Sequence, residues 1–230
     1  MPKAIKKKNK QKSVEIEATE RFYDIRDRIR DKQKTLVTYG LGAAAVFVLG
    51  AGLMLYRNNE IESSHRLENE AYKVYYTQDQ KNPLPGQDQF QKSLDLFKQA
   101  YAKKKSAKLL LYIASCNYQL NKFDDALAGL SELTKSYSSE KELLPIAYQM
   151  MAAIQIKKGN QAEALKALDT LSKASGNIYK DYALVETARI LEGEGKKEEA
   201  NAKYKELAEK FKESPFLEEA KSKLAEKKEG

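Results

Sequence analysis

Three stretches of this chain can be written one under another, and that self-similarity restricts the fold more than any other feature. Asn121-Lys122-Phe123-Asp124-Asp125-Ala126-Leu127 is followed by Leu130 and Leu133. Gly159-Asn160-Gln161-Ala162-Glu163-Ala164-Leu165 is followed by Leu168 and Leu171, and Gly195-Lys196-Lys197-Glu198-Glu199-Ala200 by Tyr204 and Leu207. Each is a polar turn, one or two charged residues, an alanine, and apolar residues four and seven positions on, which is one face of a helix. The alanines are spaced 38 and 36 residues apart. A weaker fourth copy holds Phe90, Ser93, Phe97 and Ala100, with Ser93 standing 33 residues before Ala126.

A second helix precedes each turn. Leu110, Ile113, Ala114 and Tyr118 mark the first, Tyr148, Met151, Ala152 and Ile156 the second, and Leu184, Thr187, Ala188 and Leu191 the third. Ala114, Ala152 and Ala188 each lie 12 residues before the alanine of the following helix. A large side chain there would push the paired helices apart. This helix-turn-helix unit resembles the tetratricopeptide repeat, although the consensus Trp is absent and only the middle and last turns carry Gly. Ser214-Pro215 reads as a helix N-cap and first turn. The helix expected over Phe216 to Lys227 has a stripe of Phe216, Ala220 and Leu224 that would cover the last apolar face of the array. The absence of Trp, only 5 Pro and 11 Gly, and the Lys/Glu/Ala/Leu bias all favour helices over strands.

The mean hydropathy of −0.67 hides one segment of opposite character. Thr35 to Tyr56 is 22 residues without a charge, closed by Lys34 and Arg57. As a helix it reaches about 33 Å, enough for a hydrocarbon core of about 30 Å. Tyr39 and Tyr56 stand near its ends, where aromatic rings favour the interface. A soluble core helix seldom runs so far without a charge. A cleaved signal peptide would have a shorter leading segment and a small-residue cleavage site, whereas the exit here reads Leu55-Tyr56-Arg57-Asn58-Asn59. The expectation is a permanent signal anchor. Gly40 and Ala44 form a small-xxx-small pair that would permit helix-helix contact in lipid. Residues 1–34 hold 12 Lys/Arg against 6 Asp/Glu, and residues 57–230 hold 29 against 27. The positive-inside rule then puts the N-terminus in the cytoplasm and the array across the membrane.

The expected fold class is therefore all-α: an N-terminal single transmembrane helix, then a right-handed tetratricopeptide (TPR-like) helical-hairpin array with a C-terminal capping helix. The expected divisions are a basic cytoplasmic tail with an amphipathic helix (1–34), the anchor (35–56), a juxtamembrane helix with a degenerate first repeat (57–106), and three TPR-like repeats plus the cap (107–230). Glu60 to Gln78 should continue helically from the anchor until Lys81-Asn82-Pro83-Leu84-Pro85-Gly86 breaks it. In the tail, Lys3, Lys6, Lys7, Lys8, Lys10 and Lys12 suit topology and anionic headgroups. No aromatic residue interleaves with them, which argues against a nucleic-acid partner. Ser13 to Lys34 reads as a helix with an apolar stripe of Ala18, Phe22, Ile25 and Ile29 and the pairs Glu17/Arg21 and Asp24/Arg28. It would lie on the inner leaflet, touch a partner, or simply lead into the anchor.

One Cys (Cys116) excludes an intramolecular disulfide, and one His (His65) excludes a His-rich metal site. Gly193-Glu194-Gly195-Lys196 lacks the spacing of a phosphate loop. No enzyme, cofactor, metal or small-molecule substrate is expected. In the tetratricopeptide frame the first helix of each unit lines a concave face suited to an extended or helical peptide. That face would be Leu111, Ser115 and Tyr118; then Gln149, Ala153 and Ile156; then Val185, Arg189 and Glu192. Leu111 and Ser115 stand where carboxylate-clamping arrays use Lys and Asn, which disfavours a terminal carboxylate as ligand.

The whole architecture is similar to the YfgM-type ancillary subunits of the bacterial Sec translocon. The resemblance is carried by the order of tail, anchor and array, by Ala164-Leu165-Lys166-Ala167-Leu168-Asp169-Thr170-Leu171 and by Leu191-Glu192-Gly193-Glu194-Gly195-Lys196. The Lys-rich start and the Ser214-Pro215 ending depart from it. The resemblance implies a membrane-anchored adaptor in the bacterial inner membrane with a periplasmic array. Its implied partners are translocon subunits, a membrane-anchored periplasmic chaperone and unfolded clients. Two other readings stay open: a scaffold for envelope assembly or cell division, and an organellar import receptor with the array in the cytosol.

Overall fold

The computed structural model describes residues 19–30, 32–76, 86–174 and 178–226. Among them there are helices and no strand. Helix α1 covers 19–30, and α2 runs Gln33–Tyr75. Then come α3 (Gly86–Lys103), α4 (Ala107–Gln119), α5 (Phe123–Ser136), α6 (Leu143–Lys157), α7 (Gln161–Ala174), α8 (Lys180–Gly193), α9 (Lys197–Lys210) and α10 (Leu217–Glu226). The chain divides into two units, Met1–Asn59 and Glu60–Gly230.

In the first unit the helix expected over Ser13 to Lys34 is not continuous. It is helical over 19–30, turns at Lys32, and α2 begins at Gln33. Of the two expected ion pairs, Arg28 reaches Asp24 at 3.1 Å, while Glu17 and Ala18 lie outside the described residues. The part of α2 in this unit is long and apolar enough to cross a membrane. Its side chains point outward on every side, including Tyr39, Phe47, Leu49, Leu55 and Tyr56. A Cβ at Gly40 would meet nothing within 4 Å.

In the second unit each hairpin closes through the same turn. The residues at its left-handed position are Asn121 (φ 58°), Gly159 (φ 74°) and Gly195 (φ 77°), spaced like the repeat alanines. Backbone N–H groups fold back onto the preceding helix: Lys122 to Asn117 O at 2.8 Å, Asn160 to Gln155 O at 2.9 Å, Lys196 to Leu191 O at 2.8 Å. This is the Schellman closure, and Asn is the side chain that most readily takes the conformation where Gly is missing. The next helix takes up at once: Ala126, Ala164 and Ala200 donate to Lys122, Asn160 and Lys196.

The core is a row of four clusters, each shared by three successive helices. Ala71, Leu94, Phe97, Leu109, Ile113 and Cys116 join α2, α3 and α4. Leu110, Ala114, Ala126, Leu130, Leu133 and Ile154 join α4, α5 and α6. Ala152, Ala164, Leu168, Leu171, Ala183 and Ile190 join α6, α7 and α8. Val185, Ala188, Tyr204, Leu207 and Ala220 join α8, α9 and α10. All six repeat alanines are at most 2% exposed, as helix-helix contact at those positions requires. At the place of the degenerate first copy, the C-terminal part of α2 packs on α3, and Ser64 donates to Ala100 O at 2.9 Å. Gly86 opens α3, and 81–85 lie outside the described residues. The last helix starts one residue later than expected, at Leu217. Ser214 Oγ accepts from Phe216 N–H at 3.2 Å and donates to Asp181 at 2.8 Å, tying the cap's start to α8.

Candidate functional site

The buried alanines set which side of each first helix faces outward. With Ala114, Ala152 and Ala188 turned into the hairpins, the residues three before, one after and four after each should look outward across α4, α6 and α8. Leu111, Ser115, Tyr118, Gln149, Ala153, Ile156 and Glu192 are half-buried, and Arg189 is exposed. Val185 is a correction: it is 0% exposed and packs with Ala188, Tyr204 and Leu207. Covering by the capping helix turns that position of the last unit into core.

Several of the others already have partners within the chain. Leu111 and Tyr118 lean on the α4/α5/α6 cluster. Ser115 Oγ and Tyr75 Oη share a hydrogen bond of 2.7 Å. Arg189 is not the lone cation of the face: it reaches Glu186 at 2.6 Å and, through two nitrogens, Glu219 of α10, and it lies 5.8 Å from the Phe216 ring centre. Glu192 accepts from Lys223 at 2.8 Å and from Tyr204 at 3.2 Å. These contacts hold Glu192 and Glu219 below the ordinary carboxylate pKa, the hydrogen bonds from Lys223 and Arg189 being the largest cause in each. The α8 end of the face is thus closed by α10.

The centre of the face holds half-buried rings beside the exposed Lys157. Lys157 Nζ stands 4.7 Å over the Tyr118 ring and 5.8 Å from Phe123. Ile156 packs in one cluster with Tyr148, Tyr179 and Tyr182. Burial, then Glu186 and more weakly Tyr118, push the Tyr182 phenol up to about 12. Lys157 lies five residues after Ala152, one position beyond the repeat spacing that marks the face in the sequence.

A second set was missed altogether, on α2 and α4. Tyr76 and Tyr112 share a hydrogen bond of 2.8 Å, and Tyr112 stacks on Phe97 at 5.1 Å and meets Tyr72 edge-on at 4.7 Å. Tyr72 donates to Glu68 at 2.7 Å, while Lys108 reaches Glu68 at 3.3 Å and stands 4.6 Å over Tyr72. Burial, and then the bond to Glu68, raise the Tyr72 phenol well above its usual range. Glu68, Tyr72, Tyr75 and Tyr76 show the four- and three-residue spacing of a helix face, but no turn alanine flags them. His65 Nδ1 lies 3.6 Å from Glu68 and Nε2 3.4 Å from Lys104, at a half-exposed position. Phenols, aliphatic surface and amide groups of this kind supply stacking and hydrogen bonds to a polypeptide.

Residues 32–226 match the family described as Tetratricopeptide repeat-like domain. No curated protein matches the chain. The fold is similar to that of the MamA protein in its crystal structure, at 15% identity and a TM-score of 0.53, covering 70% of this chain and 80% of that one. Pseudomonas aeruginosa pilF gives 14% identity and a TM-score of 0.49, covering 74% of this chain and 89% of that one.

Proposed function

We propose that this chain, which belongs to the tetratricopeptide repeat-like family, is a membrane-anchored adaptor that holds polypeptide partners on the inner face of its array. The observation that carries the anchor is the surface of α2. None of its most apolar window is buried, and Phe47 and Leu49 are 77% and 72% exposed. A soluble core helix would bury at least one side. Lipid removes that exposure on every side at once. The excess of basic residues in 1–34 favours a cytoplasmic N-terminus and a periplasmic array.

Within that arrangement the adaptor assists Sec-dependent translocation and the chaperoning of emerging chains, as the resemblance to YfgM-type subunits suggests. The anchor confines the groove to the bilayer and raises its effective concentration at the exit site. Two tests bear on this. Protease added to spheroplasts should digest the array and leave the tail intact; digestion only after lysis would reverse the topology. A photoreactive residue at Gln149, half-exposed at the centre of the face, and another at Ala44 should give adducts to translocon subunits, a periplasmic chaperone or nascent secreted chains. Adducts confined to division or outer-membrane assembly proteins would replace the secretion reading with the scaffold one.

A further inference from the structure

Helix α1 is not absorbed by that reading. It carries Phe22, Ile25 and Ile29 at 71%, 58% and 57% exposure, with nothing in the described chain covering them. At about 100° per residue these three fall within an arc of about 60°. Going round the helix, Arg26 and Arg30 flank the arc on one side and Arg21 and Arg28 on the other. Glu20, Asp24 and Asp27 occupy the opposite face. So the order around the axis is apolar, cationic, anionic. A protein partner has no reason to demand that radial sorting. A bilayer surface does: acyl chains take the apolar arc, headgroup phosphates take the flanking guanidinium groups, and carboxylates stay farthest from the anionic plane.

We propose that α1 lies in the headgroup layer of an anionic leaflet, apolar arc down, as an interfacial helix next to the span. This rests on the reading of α2 as the membrane anchor. The chain turns at Lys32 before α2 starts at Gln33, where an in-plane helix must give way to a crossing one. The six lysines before α1, Lys3 to Lys12, add attraction for the same surface.

The chain has no Trp, which makes the test clean. Full-length Ile29→Trp, Glu20→Trp and Phe47→Trp variants are placed in nanodiscs containing brominated phosphatidylglycerol and phosphatidylethanolamine. The Trp at 29 should lose roughly half its emission, and the Trp at 20 should behave as in water. Replacing phosphatidylglycerol by brominated phosphatidylcholine should reduce quenching at 29, because the headgroup plane loses its net negative charge and with it the attraction for the arginines. If the Trp at 47 is quenched while those at 29 and 20 are equally solvent-like, the proposal fails and the anchor stands. If the Trp at 47 is itself unquenched, the anchor reading falls and takes the proposal with it.

Discussion

Asn121, Gly159 and Gly195 do the same work in three turns, but they do not carry the same strain. A side chain at positive φ costs about 1–2 kcal/mol for most residues and less for Asn. Gly159→Ala should therefore destabilise the array by about 1 kcal/mol in chemical denaturation. Gly129 is the opposite case. It lies inside α5, and an added Cβ would sit 3.8 Å from the Ala114 Cβ and the Leu110 carbonyl, ordinary contact distances. Gly129→Ala should stabilise by about 0.5–1 kcal/mol, since it removes backbone entropy without a clash. Asn117 is 2% exposed and its side-chain oxygen has no hydrogen-bond partner. Asn117→Leu should raise the denaturation midpoint by the equivalent of about 1 kcal/mol, and a fall would show that the amide holds something in place. The turn residues were legible in the sequence. The orphan oxygen was not, because only the stacking of α3 and α5 around α4 decides what surrounds that position.

At the scale of the element, α10 has an unusual dependence on charge. Its docking on α8 runs through Arg189–Glu219, Glu192–Lys223 and the Ser214–Asp181 bond, besides Phe216 and Ala220. Glu192 and Glu219 titrate below their ordinary value of 4.5, so each stabilises the docked state above that value. The stabilisation is lost as pH falls through the folded pKa. Amide exchange in α10 should therefore rise before that in α6 and α7 as pH drops below the ordinary carboxylate range, and Glu219→Gln should flatten the response. Uniform acceleration along the chain would mean that apolar contact alone holds the cap. The capping stripe was readable from spacing. The ion pairs were not, since Arg189 and Glu219 are thirty residues apart and meet only once α9 has folded back.

Across the array, each cluster touches only its neighbours, which gives a nearly one-dimensional stability profile. Central hairpins have support on both sides and terminal ones on one. Leu168→Ala, at a fully buried central position, should cost about 2–5 kcal/mol. Cys116, the only cysteine, is fully buried and its thiol is pushed up to about 12 by burial, so it should resist alkylation until α4 opens. Its labelling rate in denaturant then reports that end of the array, while exchange in α10 reports the other. What the sequence determined by itself was everything periodic: helix type, hairpin unit, contact alanines, turn positions and the uncharged run of Thr35 to Tyr56. Those follow from local geometry, in which 3.6 residues per turn and one left-handed residue fix each unit. Which of the face residues stay available was decided only by the tertiary structure. Stacking buried Val185, engaged Ser115 with Tyr75, closed Arg189 and Glu192 under α10, and set Lys157 over Tyr118. Each of those outcomes depends on residues from different hairpins meeting, and no spacing along one helix encodes that.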